Sequence, residues 1–421
     1  MNIVAKNASS PKYFYPHVDY RSHPAFRDLD VARYAHEADV DALISAIDAE
    51  IAKINAALLS SDAEVDSVFD RDLAPRVAAL QNLLTGTISD VRTAAWLNRA
   101  FESVIKELRD QAHIASRRQR NKISAAKTPA GTVVAKNLER DGIHICRLDR
   151  KAHDRLLEFC APFMRELRER AKVRPNERIV HSFELDGEVG TELAGFFRRE
   201  GVLDGLSGYV GSNVNFSGFA LEYSYARQGW WQGAYSDIGL ANSKATYMHY
   251  DQGCRDPKAI IALTDVTEEN GPTGFVRGSH KQDRSAFLHF MMASLDHSFR
   301  PDETLPPSGA NYRPRFANKQ YRREMLSLPS ALHGSSHFGD DVLDDTKLSQ
   351  ELLSNEIRMT KDVGNCIVFD GNYGIHRGGL VRSGERFVFQ VVFDISPPPS
   401  FAARTKRRLR WLALKYLRGR R

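Results

Sequence analysis

The chain has 421 residues, of which 42% are hydrophobic, 10% aromatic and 27% charged. That excludes a collagen-like, wholly disordered or rod-like coiled-coil protein and leaves room for two or three domains. The formal net charge is +6, yet Arg404–Arg421 holds nine basic residues and no acid, so the remaining 403 residues carry 50 basic against 53 acidic groups and any argument for an anionic partner belongs to the tail.

In chain order, Met1–Pro24 is polar and aromatic and lacks the apolar core of a secretory signal. His17-Val18-Asp19 spaces an imidazole and a carboxylate as a metal site would, but stands alone and reads as surface decoration. From Asp39 to about Asp110, apolar residues recur at helical spacing: Leu43, Ile44, Ile47, Ile51, Ile54 and Leu58; then Val77, Leu80, Leu84, Ile88 and Val91; then Leu97, Phe101, Val104, Ile105 and Leu108. The basic run Arg117–Lys122, followed by Ser, Ala, Thr, Pro and Gly, reads as a solvated linker. Residues 1–130 are therefore expected to be an N-terminal helical region with its linker.

Beyond it, Leu138–Cys146 reads as a helix end, a glycine turn at Gly142 and a short strand, and a further amphipathic helix is expected from about Lys151 to Ala171. Strand signals then dominate, at Ala259–Val266, Cys366–Phe369 and Phe387–Phe393, punctuated by turn chemistry such as Asn270-Gly271-Pro272. Short strands without intervening helices predict an antiparallel barrel or sandwich. Residues 281–361 interrupt them with a long polar stretch carrying a helical patch at Leu288–Leu295, which predicts a lid or binding insertion. Pro397-Pro398-Pro399 closes the last strand.

His249 and Asp251 lie two residues apart, so on extended backbone both side chains point to one side and can reach one cation. Much further on come His376 and then Arg386, at the head of the Phe387–Phe393 strand. Two histidines and one carboxylate are the facial donor set of non-haem Fe(II) oxygenases, and a guanidinium nearby suits a carboxylate of a 2-oxo acid.

These residues, with Leu138–Gly142, Thr267–Lys281 and Gly364-Asn365, resemble in order the phytanoyl-CoA dioxygenase family of Fe(II)- and 2-oxoglutarate-dependent oxygenases. The resemblance runs from about Val134 to Ser396. It implies a double-stranded β-helix (jelly-roll, cupin-like barrel) at 131–399, an iron held by His249, Asp251 and His376, and Arg386 as the 2-oxoglutarate anchor, with Arg382 a rival for that role. It also implies oxidative decarboxylation of 2-oxoglutarate, consuming dioxygen, coupled to oxidation of a carbon of a small organic substrate. Asp251 fills the position that related halogenases leave small, which favours hydroxylation. A plain hairpin at Ser383-Gly384 would put His376 and Arg386 on opposite faces of one sheet, so a bulge is expected at Gly378-Gly379.

His333 and His337, with Asp340 and Asp341, read as a polar loop. His280 is a structural or supporting residue, and Trp230, Trp231 and Tyr247 are core or pocket aromatics. Cys146, Cys160, Cys254 and Cys366 show no CxxC spacing, which predicts a reduced, cytoplasmic protein. The tail at 400–421 is basic and amphipathic if helical, which suits peripheral attachment to an anionic membrane surface or a solubilising end. The acidic body argues against a nucleic-acid substrate. A competing reading is a catalytically silent barrel that acts through its helices and tail.

Overall fold

The computed structural model describes residues 18–121, 126–173, 179–183, 188–226, 243–254, 256–281, 285–300, 319–338, 341–362 and 364–395. Trp230, Trp231 and the tail at 400–421 lie outside the described residues.

The helical spacing in the first third of the chain becomes α1 (Glu37–Ala56), α2 (Asp62–Val68), α3 (Ala74–Thr87) and α4 (Val91–Asn121). Val40, Ile44, Ile47, Ile51 and Ile54 of α1, Val77, Leu80 and Leu84 of α3, and Leu97, Phe101, Val104 and Leu108 of α4 are buried together. Leu58 falls beyond the end of α1 and is exposed. The run read as a linker from Arg117 is helical through Asn121, because Asp62 at the start of α2 receives hydrogen bonds from both Arg117 and Arg120. Those two guanidiniums are thereby committed to an internal ion pair.

Helix α5 (Pro129–Asp141) shows how local chemistry sets an element's ends. Thr128 caps it by accepting from Gly131 N at 3.0 Å, Pro129 opens the first turn, and Gly142 ends it at φ 78. The chain then enters β1 (Ile143–Cys146), α6 (Arg150–Val173), β2 (Ile179–Phe183), α7 (Glu188–Arg199), α8 (Val202–Val210) and β3 (Asn215–Tyr225). The remaining elements are β4 (Met248–His249), β5 (Lys258–Ala262), β6 (Thr273–Val276), α9 (Ala286–Ser298), α10 (Lys319–Ser327), β7 (His337–Phe338), α11 (Lys347–Ser354), β8 (Glu356–Arg358), β9 (Cys366–Phe369), β10 (His376–Gly378) and β11 (Glu385–Asp394).

The strands form two antiparallel sheets, a six-stranded one in the order β1-β9-β5-β11-β3-β2 and a five-stranded one in the order β7-β4-β10-β6-β8. In the larger sheet the two-residue period sorts the faces. Phe387, Phe389, Val391 and Phe393 of β11 join Leu156, Leu167, Phe196 and Phe197 in a core against the helices. Arg386, Val388, Gln390 and Val392 face the other way. There the two sheets meet: Ile260, Ile367, Phe369 and Val388 of the larger pack with Phe275 of the smaller.

Among the described residues no ladder joins the two sheets at their edges, so the expected barrel is open, two facing walls rather than a closed cylinder. The stretch 281–361 is more than a polar insertion, since it supplies β7 and β8, the two edge strands of the smaller sheet. Its helix α9 also joins the N-terminal helices in one core, where Phe287, Phe290, Met291 and Leu295 pack with Trp96, Leu97 and Phe101. No described helix is long and apolar enough to cross a membrane.

Candidate metal centre and its cavity

The register of the smaller sheet builds the site. His249 on β4 and His376 on β10 are direct cross-strand partners, so they share a face, and their ring centroids are 4.3 Å apart. Asp251, two residues past His249, is fixed where its backbone N–H donates to Gly371 O at 2.8 Å. One ligand atom from each of the three residues lies within 4.8 Å of the others.

Backbone carbonyls decide the tautomers. His249 Nδ1 lies 2.9 Å from Tyr247 O, and His376 Nδ1 lies 3.1 Å from Gly374 O. A carbonyl only accepts, so each Nδ1 carries a proton, and Nε2 is the ring nitrogen left to reach a metal. Those Nε2 atoms face the carboxylate, His376 Nε2 at 3.3 Å from Asp251 Oδ2 and His249 Nε2 at 3.9 Å from Oδ1. Burial, reinforced by His376 and His337, pushes the His249 imidazole well below its ordinary pKa, which keeps it neutral. Burial alone would raise the Asp251 carboxyl, but Lys258 and the two imidazoles outweigh it and hold that group well below the usual range. Two imidazole nitrogens and a carboxylate oxygen, converging in a half-buried position, are a donor set that fits a divalent transition metal.

Gly371 is part of that fit. A Cβ there would lie 2.3 Å from Asp251 Oδ2 and 2.9 Å from His376 Cε1, so the two side chains occupy space that only glycine leaves open.

The cavity between the sheets, about 560 Å³, is lined by all three residues and by Arg386, Lys258 and Tyr247 among others. Arg386 is 3% exposed. Its Nη1 donates to Gly271 O and lies 3.5 Å from Thr273 Oγ1, while its buried Nε has no partner. Burial lowers its pKa, against the attraction of the Glu222 carboxylate. A buried, incompletely paired guanidinium is costly unless a ligand completes it, and a carboxylate would do so. Arg382, the rival, lies outside this cavity with its side chain 69% exposed beside Glu269.

Residues 242–386, about a third of the chain, match the family model for phytanoyl-CoA dioxygenase. This stretch is a phytanoyl-CoA dioxygenase domain. The match spans His249, Asp251, His376 and Arg386 and ends on the last of these. Comparison with curated proteins gives no match. Among solved structures, one similar chain is the epimerase SnoN in complex with Fe3+, alpha ketoglutarate and nogalamycin RO, at 15% identity and a TM-score of 0.34 over 63% of this chain and 83% of that one. A second is EctD from S. alaskensis with 2-oxoglutarate and 5-hydroxyectoine, at 15% identity and a TM-score of 0.35 over 66% and 84%. A third is AviO1 from Streptomyces viridochromogenes Tue57, at 14% identity and a TM-score of 0.31 over 63% and 97%. At such TM-scores these likenesses carry no weight beyond the family match.

The sheet topology of this phytanoyl-CoA dioxygenase domain differs from a plain hairpin at Ser383-Gly384. Strands β10 and β11 belong to different sheets, the chain crossing between them after Gly378, and Val381 bridges Asn270 rather than facing Arg386. His376 and Arg386 therefore face one cavity from opposite walls, and the expected bulge is not needed. His337 is also not in a loop. It sits on β7 directly across from His249, with the two rings 5.1 Å apart and within 3° of parallel, and its Nδ1 is 3.2 Å from the buried Asp296 carboxylate of α9. His333 lies apart, bonded to Leu328 O, and His280 bonds Glu139 O beside Gly142.

Three contributors escaped the sequence reading. Lys258 Nζ lies 2.5 Å from Asp251 Oδ2. Asn372, fully buried, donates to Gln252 O at 3.0 Å and accepts from Asp256 N at 3.0 Å, tying the loop after Asp251 to the loop before His376. Helix α4 braces the same loop, for Gln252 Nε2 donates to Ser103 Oγ at 2.9 Å and Cys254 Sγ donates to Glu107 O. An Asp-Gly-Asn sequence and a lysine at a strand start carry no such signal by themselves.

Proposed function

We propose that the protein is an Fe(II)- and 2-oxoglutarate-dependent dioxygenase that hydroxylates a carbon of a small organic molecule of lipid-like or natural-product type. The observation that carries this reading is the convergence of His249, Asp251 and His376 in the same cavity as the buried, incompletely paired Arg386. The two facing sheets are read as the walls of a double-stranded β-helix at 131–399, with 1–130 as a helical region and 400–421 as a basic appendage.

His249 and His376 would hold the iron through Nε2 and Asp251 through a carboxylate oxygen. Bound there, the iron supplies activation of dioxygen at the expense of the 2-oxo acid, which leaves as succinate and carbon dioxide. The chain's own part is placement. The Tyr247 and Gly374 carbonyls aim the two imidazoles, Arg386 on the facing wall receives the far carboxylate of the 2-oxo acid, and Phe275 packs on Phe369 where the two walls meet. Asp251 occupies the position a halide would need, which favours hydroxylation.

The test is succinate formation from 2-oxoglutarate with added Fe(II), with and without candidate substrates. Wild-type protein is expected to form succinate, His376→Ala to fall to background, and Arg386→Met to need about 30-fold or more 2-oxoglutarate, the scale of losing one partner of a buried charge pair. Folded, iron-loaded wild type that forms no succinate would instead favour the silent binding protein.

A further inference from the structure

The unexplained feature of the site is Lys258. It opens β5 in the larger sheet, paired with Phe369 and Val392, and its side chain crosses the cavity to the other wall, where Nζ sits 2.5 Å from Asp251 Oδ2. The residue lines the cavity, with a side chain 17% exposed. The same oxygen lies 3.3 Å from His376 Nε2. The ammonium thus stands where a metal would deliver its charge, on the carboxylate that must ligate it.

We propose, resting on the reading above, that Lys258 is a built-in competitor that weakens metal binding in the absence of the 2-oxo acid and makes the two ligands bind interdependently. Two charges compete for one carboxylate, so a metal must outbid the ammonium for Asp251. A cation bound beside Lys258 then faces a second cation across a sheltered cavity, where Coulomb repulsion is screened far less than in bulk water. The anionic head of a 2-oxo acid relieves that repulsion, since it offers the displaced ammonium a new partner. By linkage, whatever the 2-oxo acid does for the metal, the metal does equally for the 2-oxo acid. Without the lysine the metal binds more readily alone and the coupling shrinks.

The experiment measures Co(II) affinity by equilibrium titration, with and without N-oxalylglycine, an unreactive 2-oxoglutarate isostere. The proteins compared are wild type, Lys258→Met, Lys258→Gln, Lys258→Arg and His376→Ala, each checked for an unchanged thermal melt. Lys258→Met and Lys258→Gln are expected to bind Co(II) alone about tenfold tighter than wild type and to gain less from N-oxalylglycine, a coupling change within the usual range for linked sites. Lys258→Arg keeps the charge and should behave as wild type. Co(II) binding that is lost in His376→Ala but identical in wild type and both neutral variants overturns the lysine inference and leaves the proposed site standing. Absence of saturable Co(II) binding by the wild type with N-oxalylglycine present, and by both neutral variants, overturns both.

Discussion

At the scale of single residues, the site is set as much by what is missing as by its ligands. Gly371→Ala would drive a methyl group into Asp251 and His376. It should lower Co(II) affinity by about 10–100-fold, the cost typical of disturbing a ligand's supports, while the far-ultraviolet dichroism stays native; titration checks this. Asn372→Ala removes the amide that satisfies Gln252 O and Asp256 N, both drawn from the loop after Asp251. Leaving such groups unmet should cost about 1–3 kcal/mol in urea denaturation. The four residues with proposed roles were legible in the sequence because extended i, i+2 spacing and an ordered series of motifs mark them. Lys258 and His337 were not. A lysine at the start of a strand is unremarkable, and Ser335-Ser336 beside His337 reads as loop material until the register of β7 against β4 places its ring on His249.

At the scale of elements, β1 holds a pH-sensitive group. Burial pushes His144 down to about 4, and its Nδ1 lies 3.0 Å from the Asn137 amide nitrogen, which can only donate. The folded pKa is therefore depressed below the value of 6.5 for a free histidine. The unfolded chain takes up this proton first as the pH falls, so the contribution is intact above about 6.5 and is lost between there and about 4. The loss should be on the order of 3 kcal/mol. Urea denaturation at pH 7 and pH 4.5 should show it, and His144→Gln should show a smaller difference between the two pH values. Element boundaries were legible wherever capping chemistry was strong, as at Thr128, Pro129 and Gly142 of α5. They were not where tertiary partners intervene: α4 runs on through a basic stretch because Asp62, far away in sequence, neutralises Arg117 and Arg120.

At the scale of the whole molecule, the helical region and the sheets share the site. Helix α4 contacts the loop after Asp251 through Ser103 and Glu107, and α9 contacts Asn372 O through His289. A chain lacking residues 1–121 would expose the apolar side of α9 and release that loop. It is expected to aggregate in size-exclusion chromatography and to lose Co(II) binding. A monomeric truncated chain with full affinity would mean that the helices contribute nothing to the site. The sequence could not show this, because helical periodicity says which side of α4 is buried but not which partner covers it.

The bond from Trp96 Nε1 to Leu295 O joins positions 199 residues apart. At ribosomal speeds of about 5–20 residues per second, the indole is synthesised some 10–40 seconds before its acceptor. Through that interval the first helices carry a bare apolar flank, and a nascent chain in this condition is an obvious client for a chaperone. Slowing translation between these two positions should therefore lower the yield of active protein more than the same delay placed after Leu295.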